Sequence, residues 1–180
     1  MKSYDDVKNE VQVLAQITGE QQKGEQLIND MDAKIQAIKD KIPRDTHRVS
    51  IIHTTNQGLS VQLEGSIAGC TARLLGWDNV AAGMTPLEKN PDAAPYSLET
   101  LVEQNPEILF ITSMGKIEEA KAGMEKTMAE NPAWQTVDAV KNGRVYYLPQ
   151  DLFLLSRASI TRRPSRRWQS VSIRRPLLNE

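Results

Sequence analysis

The stretch that decides the fold runs from Pro95 to Gly115 and reads PYSLETLVEQNPEILFITSMG. Ser97 is a suitable N-cap, because its hydroxyl can accept a hydrogen bond from an amide of the first helical turn. Residues 98–104 then carry a short apolar stripe, and the Asn-Pro pair after them stops the helix, because a residue before proline avoids the α region. The continuous apolar run 108–111 predicts a strand that is buried on both faces, as in parallel sheets.

Polar residues 112–115 follow directly after this predicted strand. In open α/β sheets, ligands bind beyond the carboxyl ends of the strands. We therefore predict that residues 112–115 form a loop that belongs to a ligand site, and that similar strand-loop units occur elsewhere in the chain.

The first 43 residues are predicted to be helical. One helix spans residues 3–17, and a longer one is predicted to begin at Thr18 as its cap and to end at Ile42, before Pro43. Such a helix would be about 35 Å long. Its apolar residues are spaced three and four apart, which fits a coiled-coil seam, but we favour a helix that packs by one edge against a domain.

From Arg48 onward, predicted strands alternate with predicted helices. Strands are expected over residues 49–53, 77–81, 108–111 and 144–148, and helices over 66–75, 97–104, 116–130 and 137–141. This alternation predicts an α/β fold in which a long N-terminal helix precedes a mostly parallel βαβ sheet lobe. The predicted domains are a helical segment at 1–43, an α/β lobe at 44–156 and a basic irregular tail at 157–180.

Charge is distributed unevenly along the 180 residues. The tail 157–180 carries seven Arg and one acid, a net charge of +6, whereas the rest carries 15 basic and 22 acidic residues, a net charge of −7. No run approaches the ~20 apolar residues of a membrane span. The first residues lack the apolar core of a signal peptide, so the sequence as written predicts a cytoplasmic chain.

The sequence offers few groups for catalysis. It lacks GxGxxG, Walker, Gly-x-Ser-x-Gly and CxxC motifs, and with a single cysteine and two histidines we expect no resident metal site and no intrinsic cofactor. Cys70 lies in a predicted amphipathic helix and is interpreted as a core residue. His53 is either a ligand to iron or a structural histidine, and we favour the structural role because one histidine without partners indicates little.

Loops rich in hydroxyl and amide groups are predicted to gather at one edge of the sheet. They cover residues 54–58, 83–96, 112–115 and 150–156, and their chemistry suits a large, partly apolar ligand rather than a reaction. The residues predicted to contact that ligand are Thr54, Thr55, Asn56, Gln57, Trp77, Tyr96, Ser113, Met114 and Phe153.

Three stretches of the sequence resemble a known family. Residues 96–112, YSLETLVEQNPEILFIT, are similar to the S-L-E-x-L…N-P-D signature of the substrate-binding proteins of iron-siderophore, haem and cobalamin ABC importers. Residues 131–146 resemble that family's final P-x-W…A-V-x-x-G-x-V segment. Residues 15–19, which lead into the long helix, resemble the start of its rigid inter-lobe helix. The resemblance covers about residues 4–156.

The resemblance implies two α/β lobes joined by one helix, with a metal chelate, haem or corrinoid held between them and no catalysis. It implies a periplasmic or extracytoplasmic lipoprotein with an ABC permease as partner and no nucleic acid. Glu99 matches the glutamate that would dock onto basic permease residues. An acid in a helix's first turn also interacts favourably with the helix dipole, by about 0.3–1 kcal/mol, and both roles can hold together.

Both ends of the chain depart from the family pattern, so we interpret the chain as a C-terminal lobe with its inter-lobe helix. For the basic tail, one hypothesis is a one-nucleotide frameshift near Ser156, since suitable codons read out of frame give a family-like ending. The alternative is a functional basic arm for nucleic acid or anionic lipid. An alternative for the whole chain is a small α/β enzyme or regulatory domain that uses the same sheet edge.

Overall fold

The computed structural model describes residues 2–42, 47–55 and 58–153. Within them the chain divides into two compact units. The helical unit comprises residues 5–42, and the sheet unit comprises residues 2–4 and 47–153. Several predictions concern residues outside the described ranges and stay predictions. They are the domain boundaries after residues 43 and 156, Pro43 and the basic tail 157–180.

The helical unit contains two helices, α1 (Tyr4–Thr18, whose first residue belongs to the sheet unit) and α2 (Gln21–Lys39). The predicted capping of α2 by Thr18 is wrong. Gly19 adopts φ +73° and ends α1, so that Thr18 remains in α1, where its hydroxyl donates to the Leu14 carbonyl at 2.8 Å. Glu20 occupies the N-cap position of α2 instead. With 19 residues, α2 is about 28 Å long, shorter than predicted.

The sheet unit is built on six strands: β1 (Arg48–Thr55), β2 (Gly58–Gln62), β3 (Asp78–Asn79), β4 (Ala93–Pro95), β5 (Ile108–Ser113) and β6 (Val145–Tyr147). Their order is β4-β2-β1-β5-β6, and β3 pairs with the start of β1. Strand β1 is parallel to β3 and β5, and β5 is parallel to β6, whereas β2 is antiparallel to both of its neighbours. The predicted α/β fold class is confirmed, and three of the five pairings are parallel.

Two predicted loops belong to strands. Thr54 and Thr55 continue β1, and β2 begins at Gly58, which pairs with Thr55, so the predicted loop 54–58 is the end of a β-hairpin. β-Branched threonines suit an extended, paired backbone, and Gly58 at φ +134° lets the chain return. Thr112 and Ser113 likewise belong to β5 rather than to a loop beyond it.

In the described residues, five α-helices follow α2: α3 (Ile67–Leu74), α4 (Leu98–Gln104), α5 (Ile117–Glu130), α6 (Asp138–Lys141) and α7 (Gln150–Phe153). A 3₁₀ helix at Pro132–Thr136 precedes α6. The two predicted serine caps are confirmed. The Ser66 hydroxyl accepts from the Gly69 amide at 3.0 Å, and the Ser97 hydroxyl accepts from the Thr100 amide at 3.3 Å. Across residues 2–42, 47–55 and 58–153, no helix combines the length and apolar character of a bilayer span.

The two faces of the sheet carry different parts of the core. Face 1 carries Ile52, Leu109 and Ile111, which belong to one buried cluster with residues of α4, α5, α6 and the 3₁₀ helix. Because side chains alternate along a strand, Ile51 and Phe110 lie on the opposite side, face 2. All of these side chains are buried, as predicted for a strand covered on both faces. The central strands of the sheet are therefore packed against core residues on both faces.

Candidate ligand-binding site

The carboxyl ends of four strands meet at one edge of the sheet. Strands β1, β5 and β6 are parallel, and β4 runs in the same direction because it and β1 are both antiparallel to β2. This edge therefore carries the end of the β1–β2 hairpin, the residue after β4, the end of β5 and helix α7, which follows β6. This is the place where open α/β sheets bind ligands.

Thr54 and Ser113 form the centre of this edge. They are paired in the register of β1 and β5, so their side chains lie side by side on face 1. Both residues are partly exposed, and the Ser113 hydroxyl accepts a hydrogen bond from the Gly115 amide at 3.0 Å. Met114, which directly follows Ser113 in sequence, is 62% exposed. The edge thus presents two adjacent hydroxyls beside a thioether.

The hairpin end contributes Thr55, which is exposed. Its hydroxyl donates to the Gly58 carbonyl at 3.2 Å, so it closes the end of the hairpin. Asn56 and Gln57, the two residues between β1 and β2, lie outside the described residues, and their predicted ligand contacts stay predictions.

Tyr96 lies at the margin of this edge, directly after β4. Its ring stacks on Trp134 with 6.1 Å between ring centroids, and its hydroxyl oxygen is buried with no hydrogen-bond partner among the described residues. This burial raises the pKa of the Tyr96 phenol far above its usual range, which keeps the group neutral. Tyr96 therefore borders the site mainly as a packing residue of face 1.

Two predicted ligand contacts are core residues. Trp77 precedes Asp78, which pairs with Arg48 at the start of β1, so Trp77 lies at the opposite edge of the sheet. It is only 6% exposed and stacks on Phe110 with 5.5 Å between ring centroids. Phe153 belongs to α7, which contacts β5, and it is also only 6% exposed. An aromatic residue near a predicted loop can equally be core, and the sequence does not distinguish the two.

His53 and Thr112 form a pair that the sequence analysis missed. They are neighbours in the register of β1 and β5, on face 2, and His53 Nδ1 lies 3.0 Å from Thr112 Oγ1. Burial lowers the pKa of His53, and a hydrogen bond to the Thr112 backbone opposes that effect without cancelling it. Each residue is the first polar residue after an apolar run, in Ile51-Ile52-His53 and in Phe110-Ile111-Thr112. This shared position at the ends of two predicted strands is the sequence feature that could have indicated the pair.

Glu99 lies in the first turn of α4 and is exposed. Its carboxylate makes no ion pair with any residue in the described ranges. The side chain is therefore accessible to a partner and also close to the positive end of the helix dipole. Both roles expected of Glu99 are compatible with this placement.

Comparison with known proteins gives the family. Residues 2–152 match the family described as periplasmic binding protein. The chain belongs to this family. The ferric-anguibactin-binding protein FatB of Vibrio anguillarum is 25% identical over 157 residues, which cover 87% of this chain and 48% of FatB. The Fe(3+)-citrate-binding protein YfmC of Bacillus subtilis is 23% identical over 150 residues, which cover 83% of this chain and 44% of YfmC.

A solved structure gives the same fold. An ABC transporter substrate-binding protein from Listeria monocytogenes superimposes with a TM-score of 0.70 at 24% identity, over 84% of this chain and 57% of that protein. This chain therefore spans about half the length of the family members that it matches.

Proposed function

We propose that this chain is the C-terminal, ligand-binding lobe, with the inter-lobe helix, of the substrate-binding protein of an ABC importer for an iron(III) siderophore, haem or a corrinoid. The observation that carries the proposal is the pair Thr54 and Ser113, held side by side at the carboxyl edge of the sheet with Met114 exposed beside them. In this proposal the chain binds and releases its ligand without catalysis, outside the cytoplasm.

The chemistry of the edge supports a binding role. Hydroxyls and a thioether hold a ligand by hydrogen bonds and by contact, and they release it unchanged. A metal chelate offers both kinds of surface, because its organic periphery is apolar and its metal-binding groups carry oxygen or nitrogen acceptors. The names of FatB and YfmC, both iron-chelate binders, support the same class of ligand for this chain.

We expect the double variant Thr54→Val/Ser113→Ala to bind its chelate about tenfold more weakly, because two hydrogen bonds of about 0.5–1.5 kcal/mol each are lost. The measurement is quenching of tryptophan fluorescence in the full chain during titration with ferric citrate, a ferric siderophore, haemin and cobalamin. Thr127→Val is the matched control, because the Thr127 hydroxyl donates to the Gly123 carbonyl within α5, away from the sheet edge. Absence of binding to every one of these ligands contradicts the proposed function.

In the same proposal, Glu99 docks onto the permease. Glu99→Lys is expected to weaken binding to the partner ABC permease by about tenfold or more, because like charges across an interface repel. Glu118→Lys is the matched control, since Glu118 is the second residue of α5 just as Glu99 is the second residue of α4, and both are exposed. Co-purification with the permease in detergent measures the effect. Equal losses for the two variants contradict a specific role for Glu99.

A further inference from the structure

Helix α1 carries apolar side chains on two different faces. One face packs against α2: Ala15 is buried, and a Cβ placed on Gly24 of α2 would lie 2.6 Å from Ala15 Cβ. The second face carries Val13, Leu14 and Ile17, which are 52%, 60% and 76% exposed. Ile17 follows the other two at three and four residues, so the three side chains lie together on the helix surface.

This second face is acidic toward its N-terminal end. Glu10 precedes Val13 by three residues and Leu14 by four, and it is exposed and forms no ion pair within the described ranges. Asp6 precedes Glu10 by four residues. We name these five residues, Asp6, Glu10, Val13, Leu14 and Ile17, the α1 face. Along the chain it offers carboxylates first and apolar side chains second.

An exposed apolar surface of neighbouring residues usually marks a site of interaction, whereas single exposed apolar residues are ordinary. The described residues expose six large apolar side chains, and three of them belong to the α1 face. The helical unit around it, residues 5–42, has eight acidic and five basic residues, a net charge of −3. A partner of this face should therefore be both apolar and basic.

The tail of the chain carries these groups in the matching order. Its segment 162–173, RRPSRRWQSVSI, begins with four arginines and continues with Trp168, Val171 and Ile173. Arginine donates parallel hydrogen bonds to carboxylates, and tryptophan offers a large apolar surface. The segment thus complements the α1 face in charge and in apolar character.

Chain length permits a contact between the two. The tail lies outside the described residues, of which Phe153 is the last. Trp168 is the fifteenth residue after Phe153, and fifteen residues reach up to about 50 Å when extended, more than twice the length of α1. A second copy of the chain fits the α1 face less well, because it would bring further carboxylates to Glu10.

We propose that residues 162–173 dock on the α1 face. In the docked state the arginines of the segment lie beside Glu10, and Trp168 packs against Leu14 and Ile17. A segment of the same chain then covers the apolar surface of the helical unit and keeps it from a second copy. This contact lies away from the sheet edge and does not depend on the proposed function.

The test follows Trp168 in the full chain by acrylamide quenching of its fluorescence. The chain has three tryptophans, and the other two, Trp77 and Trp134, are only 6% and 1% exposed. The difference between each protein and its Trp168→Phe counterpart therefore isolates the signal of Trp168.

In the wild type we expect Trp168 to be protected from acrylamide. Leu14→Gln/Ile17→Gln should lower the ratio of docked to free tail at least about tenfold, because the apolar surface that Trp168 covers is removed. Leu87→Gln is the matched control, since Leu87 is also exposed but lies outside α1. All of these positions are exposed, so the fold should be retained, which circular dichroism checks.

The electrostatic part of the contact is tested separately. Glu10→Lys should lower the same ratio about threefold, because an exposed ion pair contributes little. Glu103→Lys is its matched control, since Glu103 is an exposed glutamate of α4. Replacing the four arginines of the segment by glutamine should also release Trp168, whereas Arg174→Gln/Arg175→Gln, outside the segment, should not.

Four results overturn the inference. The first is quenching of Trp168 in the wild type as efficient as that of free tryptophan, and the second is equal release by Leu87→Gln and by the double variant of α1. The third is a wild-type dimer in sedimentation velocity that Leu14→Gln/Ile17→Gln dissociates without a change in quenching, because the α1 face then binds a second copy. The fourth is protection of Trp168 only after vesicles of phosphatidylglycerol are added, because the partner of the tail is then anionic lipid.

Discussion

Replacing Gly69 with alanine is expected to lower the free energy of unfolding by about 3 kcal/mol, the upper part of the usual range for overpacking a core. Gly69 is buried in the first turn of α3 and faces the backbone of the segment that leaves β2. An alanine Cβ there would collide with the Leu63 carbonyl oxygen and lie 2.9 Å from Glu64 Cα. Both are backbone atoms, so no side-chain rotation relieves the collision.

The collision can be relieved only if α3 moves away from residues 63–64. That movement breaks the hydrogen bonds at the N-terminus of α3. The Ser66 hydroxyl donates to the Leu63 carbonyl at 2.8 Å and accepts from the Gly69 amide at 3.0 Å. Loss of such a cap alone costs about 1 kcal/mol. Because Leu63 directly follows β2, which pairs with β1, the disturbance is expected to reach the hairpin that carries Thr54.

Gly123→Ala provides the matched control. Gly123 lies in the interior of α5, is exposed, and has no atom within 4 Å of the position that a Cβ would take. There the same substitution should raise the free energy of unfolding by about 0.5–1 kcal/mol, because alanine loses less backbone entropy in a helix. Urea denaturation followed by circular dichroism measures both variants. Effects of the same sign and size would show that the close approach at Gly69 has been misjudged.

Features that depend on neighbouring residues were predictable from the sequence. The caps Ser66 and Ser97, the helix α5 and the buried strand β5 follow from side-chain chemistry and periodicity over a few residues. The carboxyl edge as the location of the candidate site follows in turn from the alternation of strands and helices. Thr54 and Ser113 could therefore be proposed together, as residues at the ends of two strands.

Features that depend on pairing between distant strands were not predictable in the same way. The bond between His53 and Thr112 requires the register of β1 against β5, which are about sixty residues apart in sequence. The antiparallel insertion of β2 between β1 and β4 likewise turned a predicted loop into a hairpin. Trp77 lies at the edge opposite to the predicted one, and its stacking on Phe110 is a tertiary contact with no local signature.

The Asn-Pro motif after α4 can be tested directly, because the structure explains why asparagine stands there. Asn105 adopts φ +41°, a left-handed conformation that asparagine tolerates better than most residues. Its Oδ1 accepts from the Asp138 amide at 2.8 Å, and its Nδ2 donates to Asp138 Oδ2 at 2.8 Å. One side chain thus ends α4 and joins it to the start of α6.

Asn105→Asp is expected to lower the free energy of unfolding by about 2 kcal/mol, since it replaces a donor to a charged group by a second carboxylate. The left-handed backbone and the acceptor for the Asp138 amide both survive this change, so the loss isolates the contact between the two side chains. Asn105→Gly should also lower the free energy of unfolding, but for a different reason. Both side-chain hydrogen bonds are lost, while the backbone conformation is retained.

The exchange variant Asn105→Asp/Asp138→Asn restores one donor and one acceptor, with the two groups in reversed positions. It should recover most of the stability lost in Asn105→Asp, because the amide of residue 138 and the new Asn side chain can both donate to the carboxylate at position 105. The pair Lys141–Asp138, 3.4 Å between Nζ and Oδ1, is lost in the exchange, but such exposed pairs contribute only about 0–1 kcal/mol. A double-mutant cycle by urea denaturation gives the coupling energy. If the exchange variant is no more stable than Asn105→Asp alone, the link between α4 and α6 does not depend on this pair, and the motif must be explained by the conformation of residue 105 alone.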